Sequence, residues 1–195
     1  TALLAEAGWE DRDGDGWLDK DGQPFRFTLM TNQGNEVRRQ VCELVQEQLK
    51  TIGIDVKIRV IEWATFVHEF IDKRRFEAVL LGWSLSRDPD LYDLFHSSKT
   101  KEGEYNFVGY NSPEVDALLI QGRQTFDQTR RRQMYHQIHR RLAEDQPYTF
   151  LFVGDALPII SARFGNVLSS PIGIGWNMID WHVLPEEQRY RRMSP

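Results

Sequence analysis

The sequence predicts an α/β fold, a mostly parallel sheet flanked by helices. Three observations carry this. Two segments, Phe25 to Met30 and Ile54 to Ile61, alternate apolar and polar residues as half-buried strands do. A third, Ala78 to Leu81, is an unbroken apolar run, as expected for a strand covered on both faces of a parallel sheet. Between these three lie two stretches with apolar residues at helical spacing, and a β-α-β-α-β order within about 60 residues implies right-handed crossovers.

Taken in order, Leu3 to Ala7 reads as the last turns of a helix, closed by Gly8. The opening TALLAEAGW reads as the end of a helix that starts earlier, so the chain is expected to be a piece of a longer protein. Glu10 to Pro24 is an acidic, turn-rich loop. After the first strand, Asn32 to Asn35 forms a turn, and Asn35 can cap a helix whose first residue, Glu36, suits the positive end of the helix dipole. In that helix Val37, Val41, Leu44, Val45, Leu49 and Ile52 recur at helical spacing, and Gly53 stops it. The second strand places Ile54, Val56, Ile58 and Val60 on one face. Trp63 to Arg74 reads as a helix burying Phe66, Val67, Phe70 and Ile71. Beyond the third strand, Asp90 to Phe95 is a short helix and Ser97 to Gly109 a polar surface loop. Ser112-Pro113-Glu114 combines a cap, a proline at the first helical position and an acid. The helix it starts buries Val115, Leu118 and Leu119. Asp127 starts another, with Met134, Ile138 and Leu142 in one stripe, Arg130 to Arg132 facing water, and an end before Pro147. Tyr148 to Val153 and Pro158 to Ala162 read as further strands, Ser170 to Gly175 as a loop, and the tail beyond Leu184 as charged and helical or frayed.

Composition narrows the function classes. A net charge of −5 argues against a dedicated nucleic-acid binder, whose footprint is a basic surplus. No apolar run is long enough to span a membrane. The single Cys42, set among Val41, Leu44 and Val45, cannot form an internal disulfide and reads as a small buried apolar group.

Three places could carry chemistry. Gly82-Trp83 ends the third strand, and ligands of open α/β sheets sit beyond the carboxyl ends of the strands. A flat indole beside a glycine there is either a ligand platform or a core residue, and the pattern leaves both readings open. The acidic loop places Asp11, Asp13, Asp15 and Asp19 at positions 1, 3, 5 and 9 of an EF-hand-like calcium loop, with Gly16 at the sharp turn and Trp17 offering its backbone carbonyl. Position 12 holds Gly22 in place of the bidentate glutamate, so any calcium affinity should be weak. Asp88-Pro89-Asp90 is the third place. Asp90 suits a helix cap, and Asp88, held extended by the proline, suits contact with a ligand or a neighbouring loop. These two acids also admit a hydrolase, though no nucleophile or base partner is visible. The acidic loop admits a calcium-dependent interaction module. His136 and His139 lie three apart on a helix with nothing to complete a metal set. No nucleophile elbow, Walker loop, dinucleotide fingerprint or C-x-x-C pair occurs. Trp176, beside Gly173 and Gly175, is a further candidate to face a ligand.

The succession LLAEAGW, DRDGDGWLDKDGQPF, VCELVQEQLKTIGIDVKI, GWSLSRDPD, NSPEVDALL and RRRQMYHQIHRRLAEDQPY resembles the C-terminal half of family 5 extracellular solute-binding proteins. These are the oligopeptide, dipeptide and nickel receptors of ABC importers. The resemblance implies the C-terminal lobe of a type II periplasmic-binding-protein-like fold. Residues 1–24 would be its helix end and acidic loop, 25–147 its α/β body, and 148–195 its return strands and C-terminal segment. It implies a missing N-terminal lobe, a periplasmic or extracellular location with a lipoprotein tether in the full-length form, capture of a small solute (above all a peptide) without covalent chemistry, and docking onto permease subunits. In peptide-binding relatives the loop after the Gly-Trp strand end lines the pocket, which here means Trp83, Ser84, Ser86 and Asp88. Some relatives carry an acid three residues after that Trp to pair with the peptide's α-amino group. This chain has Ser86 there, and Asp88 is the nearby acid that could take over the charge. A sugar or a metal chelate remains an alternative ligand.

Overall fold

The computed structural model describes residues 2–188. It divides into two compact units, Thr1–Pro147 and Tyr148–Pro195.

The first unit opens with α1 (Ala2–Glu6). Gly8, at φ +86°, closes it with paired bonds from Gly8 N–H to Ala5 and from Trp9 N–H to Leu4, the Schellman arrangement. Within the acidic loop the sequence reading missed a hairpin. Strands β1 (Asp19–Lys20) and β2 (Gln23–Pro24) pair antiparallel around Asp21-Gly22, both left-handed at φ 53° and 74°. That is the two-residue turn whose twist matches flanking strands.

Strands β3 (Arg26–Asn32), β4 (Asp55–Ile61) and β5 (Ala78–Val79) form the parallel sheet in the order β4-β3-β5. Arg26 pairs with Asp55 and Asn32 with Ile61, while Leu29 and Met30 pair with Ala78 and Val79. Helix α2 (Glu36–Lys50) crosses from β3 to β4, capped by the Asn35 side chain accepting from Arg38 N–H. The second crossover begins as α3 (Trp63–Thr65) and widens into a π-helix over Phe66–Ile71. Its i→i+5 bonding, seen in Asp72 N–H to Val67 C=O at 2.9 Å, brings residues five apart onto one face. Phe66 and Ile71 therefore both reach the core.

Successive side chains of β3 point to opposite faces, which splits the core in two. Leu29, Cys42, Ile54 and Val56 pack on the α2 side. Met30, Ile61, Phe66, Ile71 and Phe107 pack on the π-helix side. The third strand and the two residues after it serve both layers, Ala78 and Leu80 on one side and Val79 and Leu81 on the other, though the strand itself is shorter than the apolar run from Ala78 to Leu81 predicts and its residues are partly buried. Two faces depart from the sequence reading. Val60 is exposed while Ile61 is buried, and in α2 Val37 and Leu44 face solvent while Cys42 is fully buried. Apolar spacing marks a helical face only to within about one residue, and the sheet selects the stripe through Cys42, Val45 and Leu49.

Helix α4 (Tyr92–Phe95) is followed by α5 (Pro113–Gln124), which starts as predicted, with Ser112 accepting from Val115 N–H. Helix α6 (Gln128–Asp145), capped by Asp127, packs on α5 through Met134, Tyr135, Ile138 and Leu142. A β-carbon on Gly122 would meet the Tyr135 ring at 3.4 Å, so glycine permits this close crossing.

The second unit corrects the sequence reading. No strand forms over 148–153 or 158–162; that stretch is irregular, with Val153 and Ile159 almost wholly exposed. A strand needs a partner for its backbone groups, and none lies beside this segment among the described residues. Among the described residues the strands of this unit are β6 (Phe164–Gly165) and β7 (His182–Val183), paired antiparallel, with a 3₁₀ helix over Ile174–Asp180 between them. Buried Asn177 ties it together, donating to Asn166 C=O and accepting from Trp181 Nε1–H. A further 3₁₀ turn spans Pro185–Glu187, and the rest of the predicted charged tail lies outside the described residues.

Candidate ligand-binding site

The carboxyl ends of β3 and β5 meet at Asn32 and at Leu81-Gly82-Trp83. Thr31 is fully buried there, and its hydroxyl donates to Leu80 C=O at 3.1 Å, locking the two strand ends together. Trp83 stacks on Phe107 with centroids 5.9 Å apart and planes at 27°, and meets Tyr105 edge-on at 5.5 Å. Phe107 is itself buried and sits edge-on to Phe76. The indole thus rests on a core-anchored ring yet keeps 40% of its surface exposed. It is neither a core residue nor a loose one.

The matching family is the middle region of the bacterial extracellular solute-binding proteins, family 5, over residues 1–106. The chain belongs to this family. The oligopeptide-binding protein AppA of Bacillus subtilis is 50% identical over 151 residues, covering 77% of this chain and 28% of that relative. The solved structure of AppA from Bacillus subtilis, in complex with a nonapeptide, superposes with a TM-score of 0.76 at 44% identity over 93% of this chain and 36% of that one. The oligopeptide-binding protein of Thermus thermophilus, complexed with a pentapeptide, gives 0.66 at 30% identity over 75% and 27%. The fold is accordingly that of type II periplasmic binding proteins, as the resemblance implied. This family 5 chain spans about a third of the length of these relatives.

In this family 5 chain the loop after Trp83 is exposed. Ser84 carries no backbone element, and Ser86 donates its hydroxyl to Asp88 C=O at 3.0 Å. The carboxylate of Asp88 pairs with Arg131 at 2.5 Å. Arg131 also donates to Gly122 C=O at 3.0 Å and lies 5.3 Å from the Tyr135 ring centroid. The sequence reading placed Arg131 in water; instead it is a largely covered partner for Asp88. Asp90 accepts from Tyr92 N–H at 3.1 Å and pairs with Arg123 at 2.7 Å, so it supports α4 as expected, from one residue before the cap position.

Burial alone would raise the Asp90 carboxyl, but the hydrogen bonds from Arg123 and Tyr92 N–H, with the charges of Arg123 and Arg131, outweigh it and hold the group below its usual range. A depressed pKa stabilises the fold above the ordinary aspartate value, and that contribution disappears as pH falls through the folded value. Wild type should therefore lose more stability than Asp90→Asn between about pH 5 and pH 2, measured by urea unfolding. Identical pH slopes would rule out this linkage.

Arg38 is the residue that sequence reasoning missed. It lies in the first turn of α2, and its Nη1 donates to Asn32 Oδ1 at 2.6 Å. A β-carbon built on Gly82 would stand 3.3 Å from its Nη2. Its place in the first turn of the helix that follows β3 was the available signal. Tyr105 and Phe107 were also missed, because they sit in a loop read as merely polar.

Trp176 belongs to the second unit, where its indole N–H donates to Leu168 C=O at 3.0 Å and its surface is half exposed. In the acidic loop, Asp11 accepts from Gly14 and Gly16 N–H at 2.9 and 3.0 Å, and Asp15 accepts from Trp17 N–H at 2.8 Å. One carboxylate oxygen each from Asp11, Asp13 and Asp15 can lie within 4.8 Å of the others. Asp19 is not in that group; it belongs to β1, and its carboxylate accepts from Arg12 N–H.

Proposed function

We propose that this chain forms part of the extracytoplasmic receptor of an ABC importer, gripping a peptide between two lobes and delivering it to a membrane permease. The observation that carries the reading is the half-exposed Trp83 indole, supported from below by Phe107 at the carboxyl edge of a parallel sheet. Pockets are mostly apolar and aromatic with a few convergent polar groups, which suits capture. Both acids that might have served a hydrolase are paired with arginines, Asp88 with Arg131 and Asp90 with Arg123. The homologous relatives bound to a nonapeptide and a pentapeptide support a peptide ligand. A periplasmic or extracellular place of action follows from the family, and no helix among the described residues is long and apolar enough to cross a membrane. A lipoprotein tether belongs to the same proposal.

Native mass spectrometry of the natural full-length chain purified from its own host tests it. Added mass that fragments into amino acids is expected. A co-purified sugar or metal chelate would overturn the peptide assignment, and turnover of the bound molecule would overturn capture itself.

Weak calcium binding at Asp11, Asp13 and Asp15 is a separate proposal, supported by their convergence. The missing twelfth-position glutamate puts the affinity at about 10⁻⁴–10⁻³ M. Calorimetry should give saturable heat at millimolar calcium, lost in Asp11→Asn; a flat titration ends the idea.

A further inference from the structure

We infer that Asn106 is the positioning residue of the Trp83 platform, the buried amide that fixes the two rings against which the indole rests. The inference rests on the receptor reading of Trp83 and deepens it. The sheet does not place the indole by itself. Among the described residues, the last backbone bond from the sheet to this segment runs from Leu80 N–H to Met30 C=O at 2.8 Å, short of Trp83. Beyond it the indole takes its place from the rings it packs on, stacked on Phe107 and edge-on to Tyr105. Those two rings flank Asn106 in a loop without regular secondary structure.

Asn106 gives that loop a fixed shape. Its side chain is fully buried although it carries an amide. A buried amide costs free energy unless its donors and its acceptor find partners, and here they do. Its Nδ2 donates to His96 C=O at 3.1 Å and to Tyr110 C=O at 2.8 Å, and its Oδ1 accepts from Tyr110 N–H at 2.9 Å. Its backbone N–H donates to Lys99 C=O at 3.0 Å, and its C=O accepts from Gly109 N–H at 3.2 Å. The residues at the far end of the side-chain bonds are themselves held. His96 ends α4. Tyr110 sets its ring edge-on to buried Phe95 and donates its hydroxyl to Asp145, at the end of α6, at 2.7 Å. One side chain thus ties the loop to two helices while its neighbours, Tyr105 and Phe107, meet the indole.

The residue type matters. A carboxamide offers two N–H donors and an acceptor together. An ionised aspartate of the same shape is acceptor-only and would turn lone pairs on the His96 and Tyr110 carbonyls. Serine keeps one donor for the two carbonyls. Either change leaves buried backbone groups unpaired, which frees the loop where its rings must hold the indole. A platform whose supporting shell is loosened loses affinity even when the platform residue itself is intact.

The test uses the natural full-length chain, labelled with fluorotryptophan and read by fluorine NMR, with the Trp83 resonance assigned by its absence from Trp83→Phe. Asn106→Asp and Asn106→Ser should shift or broaden that resonance while the other tryptophans keep theirs. They should also weaken calorimetric binding of a nonapeptide about tenfold, less than removal of the indole itself. Should one variant fail to fold, the other is read. Ile54→Ala is the control. Ile54 is buried on the other face of the sheet, so Tm should fall while the Trp83 resonance stays in place and affinity holds within about twofold. An unmoved Trp83 resonance or an unchanged nonapeptide affinity in the Asn106 variants overturns the assignment. So does the same loss in Ile54→Ala. Disappearance of every folded tryptophan resonance together in both Asn106 variants would make Asn106 a residue of general stability and overturns it too. If the natural chain does not bind the nonapeptide, the peptide reading falls and the resonance alone decides. Movement in the Asn106 variants but not in Ile54→Ala then upholds the positioning role, and any other pattern overturns it.

Discussion

Replacing Phe66 by alanine is expected to destabilise the first unit by about 3–5 kcal/mol, the range for removing a buried aromatic ring. Phe66 is fully buried among Met30, Ile61, Ile71 and Phe107. It sits where the α-helical turn gives way to the π-helix, so the backbone around it is already committed to an unusual hydrogen-bond pattern. The neighbours are strand residues and a loop phenylalanine on a second element. A cavity there can close only by moving the sheet, which places the cost toward the upper end of the range. For a chain of this size that corresponds to a fall in Tm of roughly 10 °C. Phe126→Ala is the control, since Phe126 is 96% exposed, and it should change stability by about 0.5 kcal/mol or less. Urea unfolding of both variants checks the pair. A loss below about 1 kcal/mol for Phe66→Ala would mean that the π-helix face is not core.

What the sequence made legible follows from how local each signal is. The β-α-β-α-β order, the caps at Asn35, Ser112 and Asp127, and the third strand depend on residues close together in the chain, and all appear in the structure, the third strand shortened to Ala78–Val79 and only partly buried. The π-helix was out of reach, because an i→i+5 register shares its apolar spacing with an ordinary helix until packing selects it. The strands expected over 148–153 and 158–162 failed for a related reason. Alternating apolar residues make a strand possible, and only a partner makes one. The site was half legible. Trp83 announces itself by following a buried strand. Arg38 and Phe107 do not, since their meaning comes from the approach of segments about 45 and 25 residues away along the chain, and a long arginine on a helix reads as solvated by default. Arg131 was misread on the same grounds.

Replacing Trp83 by alanine in the natural full-length chain is expected to weaken ligand binding by about 30-fold or more, because a central aromatic anchor typically carries at least about 2 kcal/mol. The same substitution should cost little stability. The indole is 40% exposed, and its ring contacts among the described residues are one stack on Phe107 and one edge contact with Tyr105, each pair worth about 0.5–1.5 kcal/mol beyond area burial. Phe107 keeps its own edge contact with Phe76 when the indole is gone, so the support beneath the platform survives the change. Binding and stability should therefore separate in this variant, where in Phe66→Ala they fall together through the shared neighbour Phe107. Trp83→Phe, which keeps a flat ring over Phe107, should recover much of the affinity. Calorimetric titration with a nonapeptide and a thermal melt of each variant provide the two readouts. Affinity within twofold of wild type in Trp83→Ala would end the platform reading, and a fall in Tm as large as that of Phe66→Ala would make the indole a core residue whose exposure is incidental.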